Sequence, residues 1–173
     1  MPTNWRWVRV PLACGLVALL SAGCATRDPA PIDPVPGTEL PTNFPAPGYG
    51  LAQNPPSAAA FALGRSLFYD ARLSSDGSVS CGSCHQQVAA FANTDHRLSH
   101  GVHNQLGTRN APALQNLRWQ PTLLWDGGAS NLETMPLAPL TNPVEMNETL
   151  PNVLRKLNAD ADYRRRFAAV YGG

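Results

Sequence analysis

The chain has 173 residues, a formal net charge of +1 and a charged fraction of 14%. One domain is the default at this length, and the lack of a basic stripe excludes the electrostatic footprint of a nucleic-acid binder, so no nucleic-acid partner is expected. With 17 prolines and 14 glycines much of the backbone should be loop. The remaining structured part, about 120 residues, can bury only a small core, which an internal cofactor would enlarge.

Residues 1–23 read as a secretion signal. Arg6 and Arg9 are the positive start, Val10 to Leu20 the apolar run, and Ser21-Ala22-Gly23 the small-residue end before Cys24. The run is too short to span a bilayer, which favours cleavage. Leu20-Ser-Ala-Gly-Cys24 resembles a bacterial lipoprotein signal, in which the cysteine becomes the lipidated first residue. Ordinary cleavage nearby is the alternative, and both readings put the mature protein outside the cytoplasm, in the periplasm. Residues 24–56 hold nine of the 17 prolines with few apolar side chains between them, the composition of an extended tether. A tether is what a domain hung from a membrane by a lipid on Cys24 requires.

The remaining residues, 57–173, form the expected domain. Pro56 and Ser57 open a helix reaching Tyr69, with Phe61, Leu67 and Phe68 on about one face. Leu73 to Ser78 reads as a turn. Cys81-Gly-Ser-Cys84-His85 follows, on a short helix. Cys14 lies in the signal and Cys24 is the lipid candidate, so Cys81 and Cys84 are the cysteines of the domain. Their spacing, with His85 directly after, is the c-type haem attachment pattern: two thioethers hold the ring and the imidazole ligates the iron. A redox dithiol and half a zinc site are the alternatives. The first does not need the following histidine, and the second needs a further ligand pair.

Residues 92–148 show no sustained period and are expected as long loops with short helices, a length that suits a cofactor-bound segment. Near the end, Val153, Leu154 and Leu157 form one apolar stripe. Asp160 caps a second helix bearing Tyr163, Phe167 and Val170 and ending at Gly172. Arg164, Arg165 and Arg166 read as a solvated face. No strand pattern is convincing, so the fold class is mainly α, a cytochrome c-like haem domain with long loops.

From about Leu63 to Tyr171 the motifs fall in a familiar order: Leu63-Gly-Arg-Ser-Leu-Phe-Tyr-Asp-Ala-Arg-Leu-Ser74, Ser80-Cys-Gly-Ser-Cys-His85, Gly107-Thr-Arg-Asn-Ala-Pro-Ala-Leu114, Leu124-Trp-Asp-Gly127 and Asn142-Pro-Val-Glu-Met146. This resembles the N-terminal, peroxidatic half of bacterial di-haem cytochrome c peroxidases and of their relative that matures the tryptophylquinone of methylamine dehydrogenase. The resemblance implies a helical haem c domain, hydrogen peroxide as oxidant, and a small cytochrome c or cupredoxin as electron donor.

Position by position, the resemblance makes Cys81, Cys84 and His85 the haem attachment and proximal ligand. It makes Glu145 the distal acid that moves a proton between the peroxide oxygens, Trp125 the aromatic between two haems, and Asn110 a ligand of an inter-domain calcium ion. Read alone, these last three are a surface glutamate, a core tryptophan and a turn asparagine. The family's second Cys-x-x-Cys-His, on its C-terminal half, has no counterpart here, so the chain is expected to be either part of a di-haem enzyme or a one-haem relative. Val102 stands where the distal histidine of reductively activated members falls. His100 and His103 flank it and His96 is near, and His103 is the first candidate for a sixth ligand; an open iron face is the main expectation. Met135 replaces a distal glutamine and Gly128 an arginine. Met135 and Met146 are alternative axial ligands, which would close the site of a non-catalytic electron-transfer cytochrome.

Overall fold

A computed structural model describes Val35 and residues 39–172 apart from Asp95. The signal, Cys24 and most of the first half of the proline-rich stretch lie outside the described residues.

Helix α1 spans Ala58–Phe68. It starts because the Ser57 hydroxyl accepts the Ala60 N–H at 3.1 Å, satisfying one of the free first-turn donors. It buries Leu63, while Phe61, expected on the inner face, is 40% exposed. The reason is tertiary: α1 packs chiefly against the C-terminal helix, which selects the Leu63 side. A 3-10 turn at Ala71–Leu73, capped by Asp70, leads into the expected turn. There the Asp76 carboxylate accepts the Ser78 N–H at 2.9 Å and Gly77 takes φ +74°.

Helix α2, Cys81–Cys84, is a single turn. The chain then doubles back through an isolated bridge between Gln86 and Ala92. Residues 92–148 are mostly loop, as expected, pinned by two more isolated bridges, His100 to Leu106 and Leu123 to Ala129. Helix α3, Leu137–Thr141, is short. Helices α4, Leu150–Ala159, and α5, Ala161–Tyr171, close the domain. Thr149 caps α4. Asp160 caps α5 through the N–H groups of Asp162 and Tyr163, and Gly172 ends it at φ +76°, all as the residue types predict.

Two expectations for this pair need correction. Leu154, placed in the α4 stripe, is 60% exposed; the inward positions are Val153 and Leu157, joined by Lys156. The Lys156 ammonium donates to the Arg72 and Ser74 carbonyls and pairs with Glu148, so a cation occupies the face where periodicity favours an aliphatic residue. The arginine run is also not simply solvated: Arg166 reaches Ser66 on α1 at 2.8 Å.

The core is small. Leu73, Val79, Val102, Met146 and Val153 are buried together, with Leu67, Cys81, Leu140 and Leu157 packed on them. Among the described residues there is no strand beyond isolated bridges, so the mainly α reading holds. The stretch read as a tether lacks regular structure over residues 39–56 but lies against the domain at 44–49. The Phe44 ring meets Trp119 edge-on at 4.9 Å, and the Trp119 indole donates to the Pro45 carbonyl at 2.8 Å.

Candidate functional site

The α2 turn is set by its own residues. The Ser80 N–H donates to the Ser83 hydroxyl at 3.1 Å, and the His85 N–H closes the turn on the Cys81 carbonyl at 2.9 Å. His85 then leaves the helix with its ring clamped. Its Nδ1 lies 2.9 Å from the Phe91 carbonyl and 3.1 Å from the Pro112 carbonyl. Two acceptors at one ring nitrogen assign the proton to Nδ1 and leave Nε2 as a lone-pair donor. The Phe91 carbonyl is aimed there by a left-handed backbone, φ 57° at Ala90 and 59° at Phe91, outside the usual range for side-chain-bearing residues.

His85 lines a cavity of roughly 630 Å³, within the range of cofactor pockets. Its other walls come from residues 107–114, 123–126 and 135–145, largely apolar, with Glu145 in the same cavity. Glu145 sits in the turn after α3. Its N–H donates to the Asn142 carbonyl at 3.1 Å, its carbonyl accepts the Val102 N–H at 2.8 Å, and its carboxylate accepts the Asn142 side-chain amide at 2.8 Å. Burial pushes the Glu145 carboxyl above the ordinary carboxylate range, against the opposing pull of Asn142 and of His85.

The two cysteines differ in place. Cys84 faces the cavity, its Sγ 3.6 Å from the His100 carbonyl, whereas Cys81 packs on the core cluster. They are not joined to each other. Burial raises both thiols, and at Cys84 the nearby Glu145 charge adds to it. A redox dithiol needs the reverse, a thiol lowered towards the thiolate, so this environment speaks against that reading.

Of the other candidates, Trp125 lines the cavity mouth. It is 62% exposed rather than part of a core, and its indole donates to the Asn110 carbonyl at 2.7 Å. The Asn110 amide nitrogen donates to the Asn93 and His96 carbonyls at 3.0 and 3.3 Å. Its Oδ1 is buried without a partner, an arrangement native proteins rarely leave unexplained.

His103 is not brought to the cavity. Its N–H and ring both face Asp76, with Nδ1 3.4 Å from the carboxylate, and the Ser78 hydroxyl and N–H hold that carboxyl down to about 2. His96 and His100 lie ring to ring at 4.7 Å, and neither is among the lining residues. Met135 lines the cavity; Met146 is in the core.

Sequence reasoning gave no role to four contributors. Asn142 opens the Asn-Pro-Val-Glu motif, and its place three residues before Glu145 was a usable signal. Gly101 approaches so closely that a Cβ on it would fall 2.1 Å from the Val144 carbonyl and 2.4 Å from that of Glu145. Arg109 and Asp126 pair across the cavity wall. Arg109 and Asp126 stand in sequence motifs, but neither their pairing nor the close fit at Gly101 leaves a local signal.

The sequence profile described as di-haem cytochrome c peroxidase matches residues 58–173. The methylamine utilization protein MauG of Methylorubrum extorquens is 35% identical over 125 residues, 69% of this chain and 33% of the relative. The cytochrome c peroxidase Ccp of Escherichia coli is 34% identical over 118 residues, 68% of this chain and 25% of the relative. Among solved structures, a MauG-like protein associated with microbial copper homeostasis superposes with a TM-score of 0.68 at 40% identity, covering 77% of this chain and 39% of that one. The di-haem peroxidase BthA of Burkholderia thailandensis gives 0.61 at 29%, covering 68% and 33%. The chain thus spans between 25% and 39% of the length of these relatives. The matched region contains the whole cavity and the helices around it, and the chain belongs to the di-haem cytochrome c peroxidase family.

Proposed function

We propose that residues 57–173 are a haem c peroxidase domain that reduces hydrogen peroxide, with electrons from a small cytochrome c or a cupredoxin, directly or through a second haem. The observation that carries the reading is the pairing of a clamped His85, its Nε2 free, with a buried Glu145 in one cavity. The residues fit a covalently held haem: a clamped histidine with Nε2 free to ligate, two thiols three positions apart, and a largely apolar pocket. When bound, the haem supplies the redox-active iron at which the peroxide bond is cleaved.

The chain's own residues do the rest. Cys81 and Cys84 would hold the ring, and His85 keeps its orientation through the Phe91 and Pro112 carbonyls. Glu145 takes the proton from the incoming peroxide and returns it to the departing oxygen, which general acid–base catalysis rewards by about a hundred-fold or more. Its raised carboxyl keeps both protonation states accessible nearer neutrality. Trp125, exposed at the cavity mouth, is suited to passing electrons inward.

Asn110 is the calcium candidate on the strength of its unpartnered buried oxygen. No group of three or more His, Cys, Asp or Glu side chains lies around it among the described residues, so carbonyls or another polypeptide segment would complete the shell. Export to the periplasm and lipidation at Cys24 complete the proposal.

The test is the ferric spectrum of the haem-loaded protein before and after one equivalent of peroxide. A high-spin spectrum that converts to an oxidised product is expected, and Glu145→Gln should slow that conversion about a hundred-fold at unchanged haem content. Equal rates in both proteins remove Glu145 from the mechanism. A second reading, a non-catalytic electron-transfer cytochrome, is favoured by Met135 in the cavity wall; a low-spin, peroxide-inert spectrum supports it.

A further inference from the structure

We infer that Asn142 is the positioning residue for Glu145, its side-chain amide aiming the carboxylate into the cavity. The inference rests on the proposed distal role of Glu145. The backbone of Glu145 is fixed on two sides, by its N–H on the Asn142 carbonyl and by the Val102 N–H on its own carbonyl. Gly101 packs against it with no room for a Cβ. This leaves the three side-chain torsions, which the backbone cannot control. The Asn142 Nδ2 donates to Oε1 at 2.8 Å and thereby ties the carboxylate end.

Asn142 is itself rigid. Its Oδ1 accepts the Val144 N–H at 3.1 Å. Its backbone N–H donates to the Ala138 carbonyl at 3.0 Å, and its carbonyl accepts the Asn147 N–H at 2.9 Å. Pro143 follows and favours the extended backbone, φ −68° and ψ 123°, that Asn142 adopts. One amide therefore does two jobs with two atoms: the oxygen caps the turn and the nitrogen holds the acid. With Oε1 engaged by a donor, Oε2 keeps its lone pairs for an incoming proton. Only a residue carrying both an acceptor and a donor serves, which excludes aspartate.

That difference supplies the experiment. Full-length haem-loaded Asn142→Asp, Asn142→Ala and Glu145→Gln are compared with the parent protein for haem content and thermal midpoint. Two rates are read, the first reaction with hydrogen peroxide and the association of cyanide with the ferric haem. Cyanide arrives as the neutral acid and gives up its proton as it binds, so it reports the distal base without turnover or an electron donor.

Asn142→Asp keeps the turn acceptor and loses the donor. Haem content should stay at the parent value while both rates fall about ten-fold. Parent-like rates in Asn142→Asp, with losses in Asn142→Ala, would mean that the side chain only caps the turn, and would overturn the inference. A rate loss seen only with lost haem overturns it too. If Glu145→Gln leaves both rates unchanged, the distal role of Glu145 fails and the inference with it. If Glu145→Gln is slow and Asn142→Asp is not, only the inference fails.

Discussion

Side chains in the site are each held by one partner close in sequence and one far from it. His85 depends on Phe91 and on Pro112, and Glu145 depends on Asn142 and on the Gly101–Val102 backbone. Gly101 shows how little room is left. It is conformationally ordinary, φ −106°, so its glycine identity is a matter of contact, with the Val144 and Glu145 carbonyls where a Cβ would be. Gly101→Ala should therefore cost about 1–3 kcal/mol, as overpacking does, and displace Glu145. Urea unfolding read beside the peroxide reaction checks this; a loss of stability with an unchanged rate would show that the segment yields without moving the acid.

At the level of elements, the Lys156 ammonium staples helix α4 to the turn before α2 through the Arg72 and Ser74 carbonyls and pairs with Glu148 just ahead of the helix. The Glu148 side chain is 4% exposed and that of Lys156 24%. Burial pushes the Glu148 carboxyl up, but bonds from Lys156, the Asn152 amide at 2.7 Å and the Thr149 N–H at 2.9 Å outweigh it, so the carboxyl lies below its ordinary value. The sign follows by linkage. A carboxyl lowered by folding adds stability above its unfolded value, about 4.3, and that stability is lost as pH falls through the folded value. Glu148→Gln should cost about 2 kcal/mol at pH 7, because it leaves Lys156 poorly compensated. The difference from the parent protein should shrink as pH drops below about 4. Urea midpoints of both proteins at pH 7 and pH 3 check it; a pH-independent difference would mean that the pair is not the source.

The elements differ in how far local patterns announce them. α1 and α5 were legible because Ser57, Asp160 and Gly172 are strong end signals, each acting within a few residues. The inward faces were less so. Leu154 and Phe61 satisfy a helical period and still face solvent, since the period marks a stripe while the neighbouring helix selects its width. Lys156 broke the pattern in the other direction, because carbonyls of a distant turn and a buried carboxylate make an ammonium favourable there.

For the whole molecule, the balance between core and cavity matters most. Five buried residues and their four partly buried neighbours make the hydrophobic cluster, beside a cavity of roughly 630 Å³. A domain whose interior is divided this way draws much of its apolar burial from whatever fills the cavity. Cys84→Ala should accordingly yield protein that retains no haem under denaturing conditions and melts without a sharp transition. Haem staining of a denaturing gel and near-ultraviolet circular dichroism read the two effects; haem fully retained under denaturing conditions would refute the attachment role.

The haem motif, the order of the family segments, the mainly α class and the helix ends were determined by the sequence alone, because each depends on residue types at short spacing. The tertiary structure decided what depends on long-range contact. It turned His103 towards Asp76 and away from the cavity, and laid residues 44–49 of the proline-rich stretch on Trp119. It left one oxygen of Asn110 buried and unpartnered, and joined Glu145 to His85 in one cavity across 60 residues of chain. Spacing along a chain specifies a turn, but which turns share a wall is set by how loops without a period close around a common space.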